Sequence, residues 1–152
     1  MTQTASSENR QESLFAAFSV RDGHYALDAS GIQEVIRLGP LTPVRHALPE
    51  VAGIMNLRGK IVTVVDLGLR LGMPKAVSGN HSRIFIVENR GEFIGLLVDR
   101  VDDVLEVEPE QWEALPANLS AGQARFFKGV CRSNGRIISI LDADRILAPG
   151  ED

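Results

Sequence analysis

The sequence contains only one cysteine and three histidines, and it has no dense run of lysine and arginine. Cys131 cannot form an internal disulfide, and its apolar surroundings predict a buried residue in a reducing compartment. His24, His46 and His81 have no cysteine, histidine or carboxylate near them at metal-ligand spacing. We therefore expect no disulfide, no metal site and no cofactor.

Charge and hydropathy argue against two further classes of partner. The net charge of −4 does not suit nucleic acid, because phosphate binding needs a concentrated Lys/Arg surface. No apolar stretch approaches the roughly 20 residues of a membrane span, since charged residues interrupt every candidate. Residues 1–12 lack the basic and apolar regions of a secretory signal. We expect a cytoplasmic protein that neither inserts into a membrane nor binds nucleic acid.

The chain carries an internal duplication. Residues 53–66 reappear without a gap as residues 129–142, where two glycines, one isoleucine and the closing aspartate are identical. A second, shorter match precedes it in the sequence, between residues 32–36 and residues 101–105. The longer match has the pattern of a duplicated β-hairpin, which indicates two related halves.

Most of the remaining pattern is typical of β-structure. Residues 14–20 and 24–28 are predicted to form a hairpin with a short Gly-containing turn, and residues 83–88 and 92–98 repeat it. Strands this short and this regularly spaced favour an all-β fold of small closed barrels over a parallel sheet.

Each half is predicted to continue with the segment that starts at residue 32 or 101, a further strand and the duplicated hairpin. Short helices are expected at residues 67–72 and 143–147, each preceded by an aspartate that can cap it.

These elements divide the chain into four regions. Residues 1–13 and 149–152 are predicted to be disordered tails of low hydrophobicity. The first barrel subdomain is expected over residues 14–80 and the second over residues 81–148, with the first strands able to cross to the other barrel.

Asp66 and Asp142 occupy equivalent positions in the duplication. The simplest interpretation is that each carboxylate caps its own helix. The alternative is a small acid/base enzyme, in which the two carboxylates would lie ~5–10 Å apart across a cleft. No phosphate-binding loop, dinucleotide motif or Gly-x-Ser-x-Gly motif offers another anchor for catalysis.

The two copies differ at the hairpin tip. The second copy turns through Asn134-Gly135, a favourable tight-turn sequence, whereas the first has Asn56-Leu57-Arg58-Gly59. Arginine suits bidentate contacts with carboxylates at interfaces, so Arg58 is the best candidate for a partner-facing anchor. The structural alternative is a salt bridge that joins the two halves.

Two other features have simpler interpretations. Trp112 is expected to pack over a barrel end because a tryptophan buries a large apolar area. The acidic residues around the second half are expected to form a solvated face, with a docking surface as the alternative. These acidic residues are Asp28, Asp99, Asp102, Asp103, Glu106, Glu108 and Glu110.

Residues 53–67, which read Gly-Ile-Met-Asn-Leu-Arg-Gly-Lys-Ile-Val-Thr-Val-Val-Asp-Leu, resemble the CheW family of bacterial chemotaxis coupling proteins. The likeness is specific, because the Asn-Leu-Arg-Gly string followed by a hydrophobic strand that closes on Asp-Leu is the most recognisable string of that family. The resemblance extends from residue 14 to residue 147 and includes residues 25–28, 32–35, 95–101 and 129–130.

The resemblance implies a non-enzymatic adaptor built from two SH3-like five-stranded β-barrels. Such an adaptor couples the cytoplasmic tips of methyl-accepting chemoreceptors to the regulatory domain of a CheA-type histidine kinase. A stand-alone module that regulates the kinase is a second interpretation. The implied receptor-binding groove contains Ile32, Glu34, Val35, Val98, Val101 and Val104. The implied partner interface contains Gly53, Asn56, Leu57 and Arg58.

The sequence departs from the family pattern at a few positions. Thr63 stands where the family usually has proline, and Gly68 stands where it usually has arginine. Arg45 and Leu48 replace prolines that often precede the Gly53 strand. These changes preserve the fold, and they fit a coupling protein for an array that governs pili or gene expression equally well.

Overall fold

The structure is a computed structural model, and it describes residues 14–116 and 124–148. The first half of the chain forms β1 (Leu14–Val20), β2 (Gly23–Asp28), β3 (Ile32–Arg37), β4 (Val51–Leu57), β5 (Lys60–Asp66) and helix α1 (Leu67–Arg70). The second half forms β6 (Arg83–Asn89), β7 (Glu92–Val98), β8 (Arg100–Glu106), β9 (Phe127–Ser133), β10 (Arg136–Leu141) and helix α2 (Ala143–Leu147). Short 3₁₀ turns lie at Ala29–Gly31 and Pro109–Gln111.

The strands form two five-stranded sheets, as the predicted all-β fold of two SH3-like barrels requires. The β1 sheet has the order β8-β1-β2-β10-β9, and the β6 sheet has the order β3-β6-β7-β5-β4. Replacing each strand by its copy in the duplication converts one order into the other. The two sheets are therefore internal repeats of each other.

The leading hairpin of each half belongs to the sheet of the opposite half. The β1–β2 hairpin pairs with β8 and β10, and the β6–β7 hairpin pairs with β3 and β5. Each sheet thus takes strands from both sides of residue 80. Neither sheet is formed from one side of residue 80 alone. The predicted division of the chain into two subdomains at that residue stays a prediction.

Burial on both faces explains why these hairpins lie centrally. Phe18 and Phe85 point into one apolar cluster shared by both sheets, and their rings meet edge to face at 5.2 Å. The neighbouring Phe15 points into a second cluster inside the β1 sheet, and Ile84 points into a third inside the β6 sheet. Strands buried on both faces read as continuous apolar runs, as β1 and β6 do.

Two predicted elements differ from the structure. The first helix ends at Arg70 instead of residue 72, because the chain turns at Gly72, which has a φ of 89°. Over residues 14–116 and 124–148, the further strand of each half is reduced to one bridge, Thr42 with Ile54 and Glu113 with Val130. Prolines on both sides of Thr42 remove the backbone donors that a longer strand would need.

Cys131 and Trp112 lie where the sequence predicts. Cys131 is buried inside the β1 sheet, and burial, together with the charge of Glu113, raises the pKa of its thiol. Trp112 packs against the same cluster and contacts Phe15 edge to face at 5.8 Å. Tyr25 is also buried, which raises the pKa of its hydroxyl.

Candidate partner-binding surface

The outer strands β3 and β8 carry a matching pair of exposed valines. Val35 on β3 is 45% exposed, and its repeat equivalent Val104 on β8 is 60% exposed. Val35 pairs with Phe85 and Val104 pairs with Ala16, which are themselves equivalent positions. Ile61 and Ile137 form another such pair of equivalent aliphatic residues, at 62% and 54% exposure.

The backbone of both strands is bent at equivalent positions. Gln33 in β3 and Asp102 in β8 are each left out of the pairing register, as a β-bulge leaves one residue unpaired. A bulge increases local twist and discourages uncontrolled pairing with another sheet edge. This surface therefore offers exposed side chains for contact, whereas its strand edges are poorly suited to pairing with another strand.

Three of the predicted groove residues lie deeper. Ile32 and Val101 are partly buried and pack against the central cluster that Phe18 and Phe85 share. Val98 is a fully buried member of that cluster. These side chains support the base of the two outer strands, whereas Val35 and Val104 reach solvent.

Glu34 and Arg58 come from the two separate site predictions, and the structure brings them together. The Arg58 Nη2 donates a hydrogen bond to Oε1 of Glu34, from the β4–β5 turn to β3. Both residues belong to the first half of the chain, so the predicted alternative of a salt bridge between the halves is wrong. The Arg58 side chain remains 69% exposed despite this contact.

The turn that carries Arg58 has an unusual backbone. Arg58 has a φ of 51° and Gly59 a φ of 86°, a combination that type I′ hairpin turns require. Asn56 supports the turn, since its Oδ1 accepts a hydrogen bond of 2.9 Å from the Gly59 N–H. Leu57 is partly buried against the cluster inside the β6 sheet. Arg58 thus occupies a conformation that favours Asn or Gly, as in Asn134 of the second copy.

Gly53 has a structural reason to be glycine. Its φ is 153°, and a Cβ built on it would lie 2.8 Å from the carbonyl oxygen of Thr42. Thr42 and Ile54 exchange two backbone hydrogen bonds across this approach, at 2.9 and 2.8 Å. Gly53 therefore shapes the strand that leads to the Arg58 turn and does not itself offer a side chain.

Asp66 and Asp142 cap separate helices. Asp66 Oδ1 accepts a hydrogen bond from the Leu69 N–H at 3.2 Å, and Asp142 Oδ1 accepts one from the Arg145 N–H at 3.3 Å. This arrangement gives each carboxylate a local role in its own repeat. The alternative of an acid/base enzyme finds no support in this arrangement, because each carboxylate is engaged at its own helix.

Sequence reasoning missed Arg70, which joins the two halves. Its side chain is 9% exposed and donates hydrogen bonds to the carbonyl oxygens of Ile146, Arg145 and Ala148 at 3.0, 3.1 and 3.0 Å. These carbonyls form the end of α2, where a cation compensates unpaired acceptors. The sequence shows that Arg70 lies in the last turn of a short helix. It does not show that the arginine binds the carbonyl group of Ile146, which is 76 positions away.

The described residues contain no group of His, Cys, Asp and Glu side chains suited to a metal ion. Over the same residues, no helix is long and apolar enough to cross a membrane.

Comparison with known proteins gives a consistent result. Residues 15–150 match the family model described as a CheW-like domain. The chain is 32% identical over 136 residues to the chemotaxis protein CheW of Rhizobium meliloti (strain 1021), covering 90% of this chain and 87% of that protein. It is 33% identical over 131 residues to the chemotaxis protein CheW of Thermotoga maritima, covering 86% and 85% of the two chains.

A solved structure agrees with these relatives. The crystal structure of the scaffolding protein TtCheW from Thermoanaerobacter tengcongensis superposes with a TM-score of 0.82 at 29% identity. The match covers 93% of this chain and 96% of that one. The chain therefore belongs to the CheW family, whose members are scaffolding and coupling proteins of bacterial chemotaxis rather than enzymes.

Proposed function

We propose that this chain is a cytoplasmic adaptor that couples the tip of a chemoreceptor to the regulatory domain of a CheA-type histidine kinase. The observation that carries the proposal is the pair of exposed, repeat-equivalent valines on the outer strands of the two sheets. The exposed Arg58 turn adds a second, charged site, so the chain offers one surface for each partner.

The receptor tip is proposed to contact the outer strands β3 and β8. Val35 and Val104 supply exposed apolar area, and Ile32, Val101 and the buried Val98 support them from the central cluster. An apolar surface flanked by charge suits the apolar face of an amphipathic helix. Exposed Asp102 and Asp103 beside Val104 provide that charge.

The kinase domain is proposed to contact the β4–β5 turn. Arg58 is the exposed cation at its tip, while Gly53, Asn56 and Leu57 hold the turn in place. An exposed ion pair contributes little to stability, so Arg58 is free to exchange Glu34 for a carboxylate of a partner. Arginine is among the residues that dominate binding energy at interfaces.

Calorimetric titration with two separate ligands tests this proposal. One ligand is the purified regulatory domain of a CheA-type kinase, and the other is a receptor cytoplasmic fragment, both from the same organism. We expect Arg58→Ala to weaken kinase binding by about tenfold, which corresponds to ~1.4 kcal/mol. Val104→Asp is expected to weaken receptor binding by a similar factor.

Val77→Asp is the matched control, because Val77 is 99% exposed and lies outside both surfaces. It should bind both ligands as the unaltered chain does. Binding of the kinase domain without the receptor fragment would favour a stand-alone kinase regulator. Binding of neither ligand would contradict the coupling role.

A further inference from the structure

The two short helices end differently, although they occupy equivalent places in the duplication. Helix α1 ends in a glycine turn, in which Gly72 has a φ of 89°. The Gly72 N–H donates a hydrogen bond to the Leu69 carbonyl at 3.0 Å, and the Met73 N–H donates one to the Gly68 carbonyl at 2.8 Å. These bonds satisfy carbonyl groups that the end of a helix leaves without an intrahelical partner. Helix α1 is thus capped by the residues that follow it.

Helix α2 has different residues at these positions. Ala148 and Pro149 stand where the first copy has Gly72 and Met73. Ala148 is extended, with a φ of −63° and a ψ of 148°, as expected for a residue that precedes proline. Proline has no N–H, so Pro149 cannot supply the hydrogen bond that Met73 donates in the first copy. The last carbonyl groups of α2 are therefore open to a donor from another part of the chain.

Arg70 of α1 is that donor. Its guanidinium donates hydrogen bonds to three carbonyl groups at the end of α2, at 3.0, 3.1 and 3.0 Å. Its Cζ lies 5.0 Å from the centre of the Phe126 ring, and its Nη1 lies 3.8 Å from Oε2 of Glu50. A planar guanidinium holds its N–H groups in fixed directions, so one side chain binds several acceptors in a defined geometry.

Arg70 lies where the two repeats meet. Its equivalent in the second copy is Ile146, whose carbonyl group it binds. Glu50 and Phe126 are also equivalent, since each accepts a backbone hydrogen bond from the aspartate that caps the helix of its own half, at 2.7 and 2.8 Å. Arg70 therefore contacts both members of one equivalent pair and its own counterpart. One side chain thus joins the same place in both copies.

The Arg70 contact joins the two sheets by directional bonds. Helix α1 directly follows β5 of the β6 sheet, and helix α2 directly follows β10 of the β1 sheet. The central cluster also joins the sheets, but apolar attraction has no preferred direction. Hydrogen bonds weaken steeply when their angle changes. The bonds of Arg70 therefore restrict the orientation of one sheet relative to the other.

We propose that Arg70 is a positioning residue, which sets the orientation of Val35 relative to Val104. Val35 belongs to the β6 sheet and Val104 to the β1 sheet, so a receptor tip that contacts both depends on the angle between the sheets. This inference rests on the proposed function of the two valines. Arg58 and its partner Glu34 belong to one sheet, so a kinase contact at the Arg58 turn does not depend on that angle.

Calorimetric titration of an Arg70→Met variant tests this difference. The substitution keeps an unbranched side chain and removes the donors. We expect affinity for the receptor fragment to fall at least about fivefold, the lower end of typical coupling between sites, while affinity for the kinase regulatory domain stays constant. Equal weakening of both ligands, or unchanged receptor binding, would overturn the proposal.

Arg83→Met is the matched control. Arg83 also donates to backbone carbonyl groups, those of Asn80 and Ser82, but these lie within three positions of it in the sequence. Its replacement removes a similar set of bonds without separating the two halves. Both affinities should stay constant in this variant.

A second variant separates positioning from helix capping. In the Arg70→Met chain, Ala148→Gly and Pro149→Met copy the end of α1 onto α2, which then has donors of its own. We expect thermal stability to recover and receptor binding to stay weak, because the bonds between the sheets are not replaced. Recovery of receptor binding would assign Arg70 to helix capping alone and would overturn the proposal.

Spin labels measure the orientation of the sheets without a partner. Ile61 and Ile137 are exposed, repeat-equivalent residues on different sheets, and each is replaced by cysteine in a Cys131→Ser chain. We expect the label-to-label distance distribution from electron spin resonance to shift or broaden with Arg70→Met and to stay constant with Arg83→Met.

An unchanged distance distribution in the Arg70→Met chain would overturn the proposal. An unaltered chain that binds neither ligand would contradict the coupling role. The distance measurement needs neither ligand, so failure of the coupling role and failure of the Arg70 contact are separate results.

Discussion

Arg58, at the turn between β4 and β5, forms an ion pair with Glu34 on β3, the outer strand of the same sheet. These strands lie at opposite ends of the sheet order, so the pair closes the β6 sheet towards a barrel. It also connects the proposed kinase contact to the proposed receptor contact. A partner that draws Arg58 away leaves Glu34 free beside Val35.

The ion pair is expected to contribute little to stability. Because the Arg58 side chain is 69% exposed, solvent screens the attraction, and we expect Arg58→Ala and Glu34→Ala each to lower the free energy of unfolding by less than about 1 kcal/mol. Urea unfolding followed by circular dichroism measures this change. A loss several times larger would assign Arg58 a structural role.

Arg58→Asn distinguishes the contribution of the turn backbone to stability from the contribution of the arginine side chain to binding. It converts Arg58-Gly59 into the Asn-Gly pair of the second copy, where Asn134 has a φ of 53°. Since arginine is unfavourable in this conformation, we expect the free energy of unfolding to stay constant or to rise by about 1 kcal/mol. Kinase binding should nevertheless weaken as it does for Arg58→Ala, and a variant that binds normally would exclude the guanidinium from the interface.

Val104→Asp and Val98→Asp form a contrasting pair. Val104 is 60% exposed, so its replacement by aspartate should leave a folded protein that binds the receptor fragment weakly. Val98 is fully buried, and an unpaired carboxylate there should cost several kcal/mol and unfold the chain. Thermal unfolding scans distinguish the two. A folded Val98→Asp protein would be inconsistent with its place in the central cluster.

Gly53→Ala should destabilise the protein by about 1–3 kcal/mol, since the new Cβ meets a backbone carbonyl and the positive φ is strained. Gly39→Ala is the control, because a Cβ there has nothing within 4 Å. Chemical denaturation of both variants measures the difference. Similar stability of the two would show that the strand at Gly53 can shift without cost.

Cys131 links stability to pH. Burial raises the pKa of its thiol, so the folded protein holds that proton more tightly than the unfolded chain does. The part of the free energy of unfolding that depends on this proton should therefore be fully present below the ordinary thiol pKa of about 8.5. It should be lost as the pH rises above that value. Replacement by serine should remove this part of the pH dependence. A thiol that reacts rapidly with a disulfide reagent in the folded state would contradict its burial.

Much of the secondary structure could be predicted from local pattern. The predicted bounds of β1, β7 and α2 agree with the structure, and the duplicated hairpin appears as β4–β5 and β9–β10. Turn residues and apolar runs act over a few positions, so they are readable without knowledge of the fold. The family resemblance, carried by residues 53–67, identified the chain for the same reason.

The candidate surface could be predicted only in part. The duplication paired Val35 with Val104, and both are exposed. The sequence could not show that Val98 is buried while these two valines are exposed. An apolar residue near a strand end has the same local pattern in both situations. The contact between Arg70 and the carbonyl groups of α2 could not be predicted either. The end of a helix favours a nearby cation, but the local sequence does not show which distant residue supplies it.

Local pattern in the chain was enough to establish two similar sets of short strands, the tight turns and the capped helices. Long-range packing determined which hairpin joins which sheet and placed Arg58 beside Glu34. The hairpins β1–β2 and β6–β7 are apolar on both faces, and either sheet offers them antiparallel and parallel neighbours. The central cluster around Phe18 and Phe85 joins the two sheets, and its side chains meet across positions that are remote in sequence.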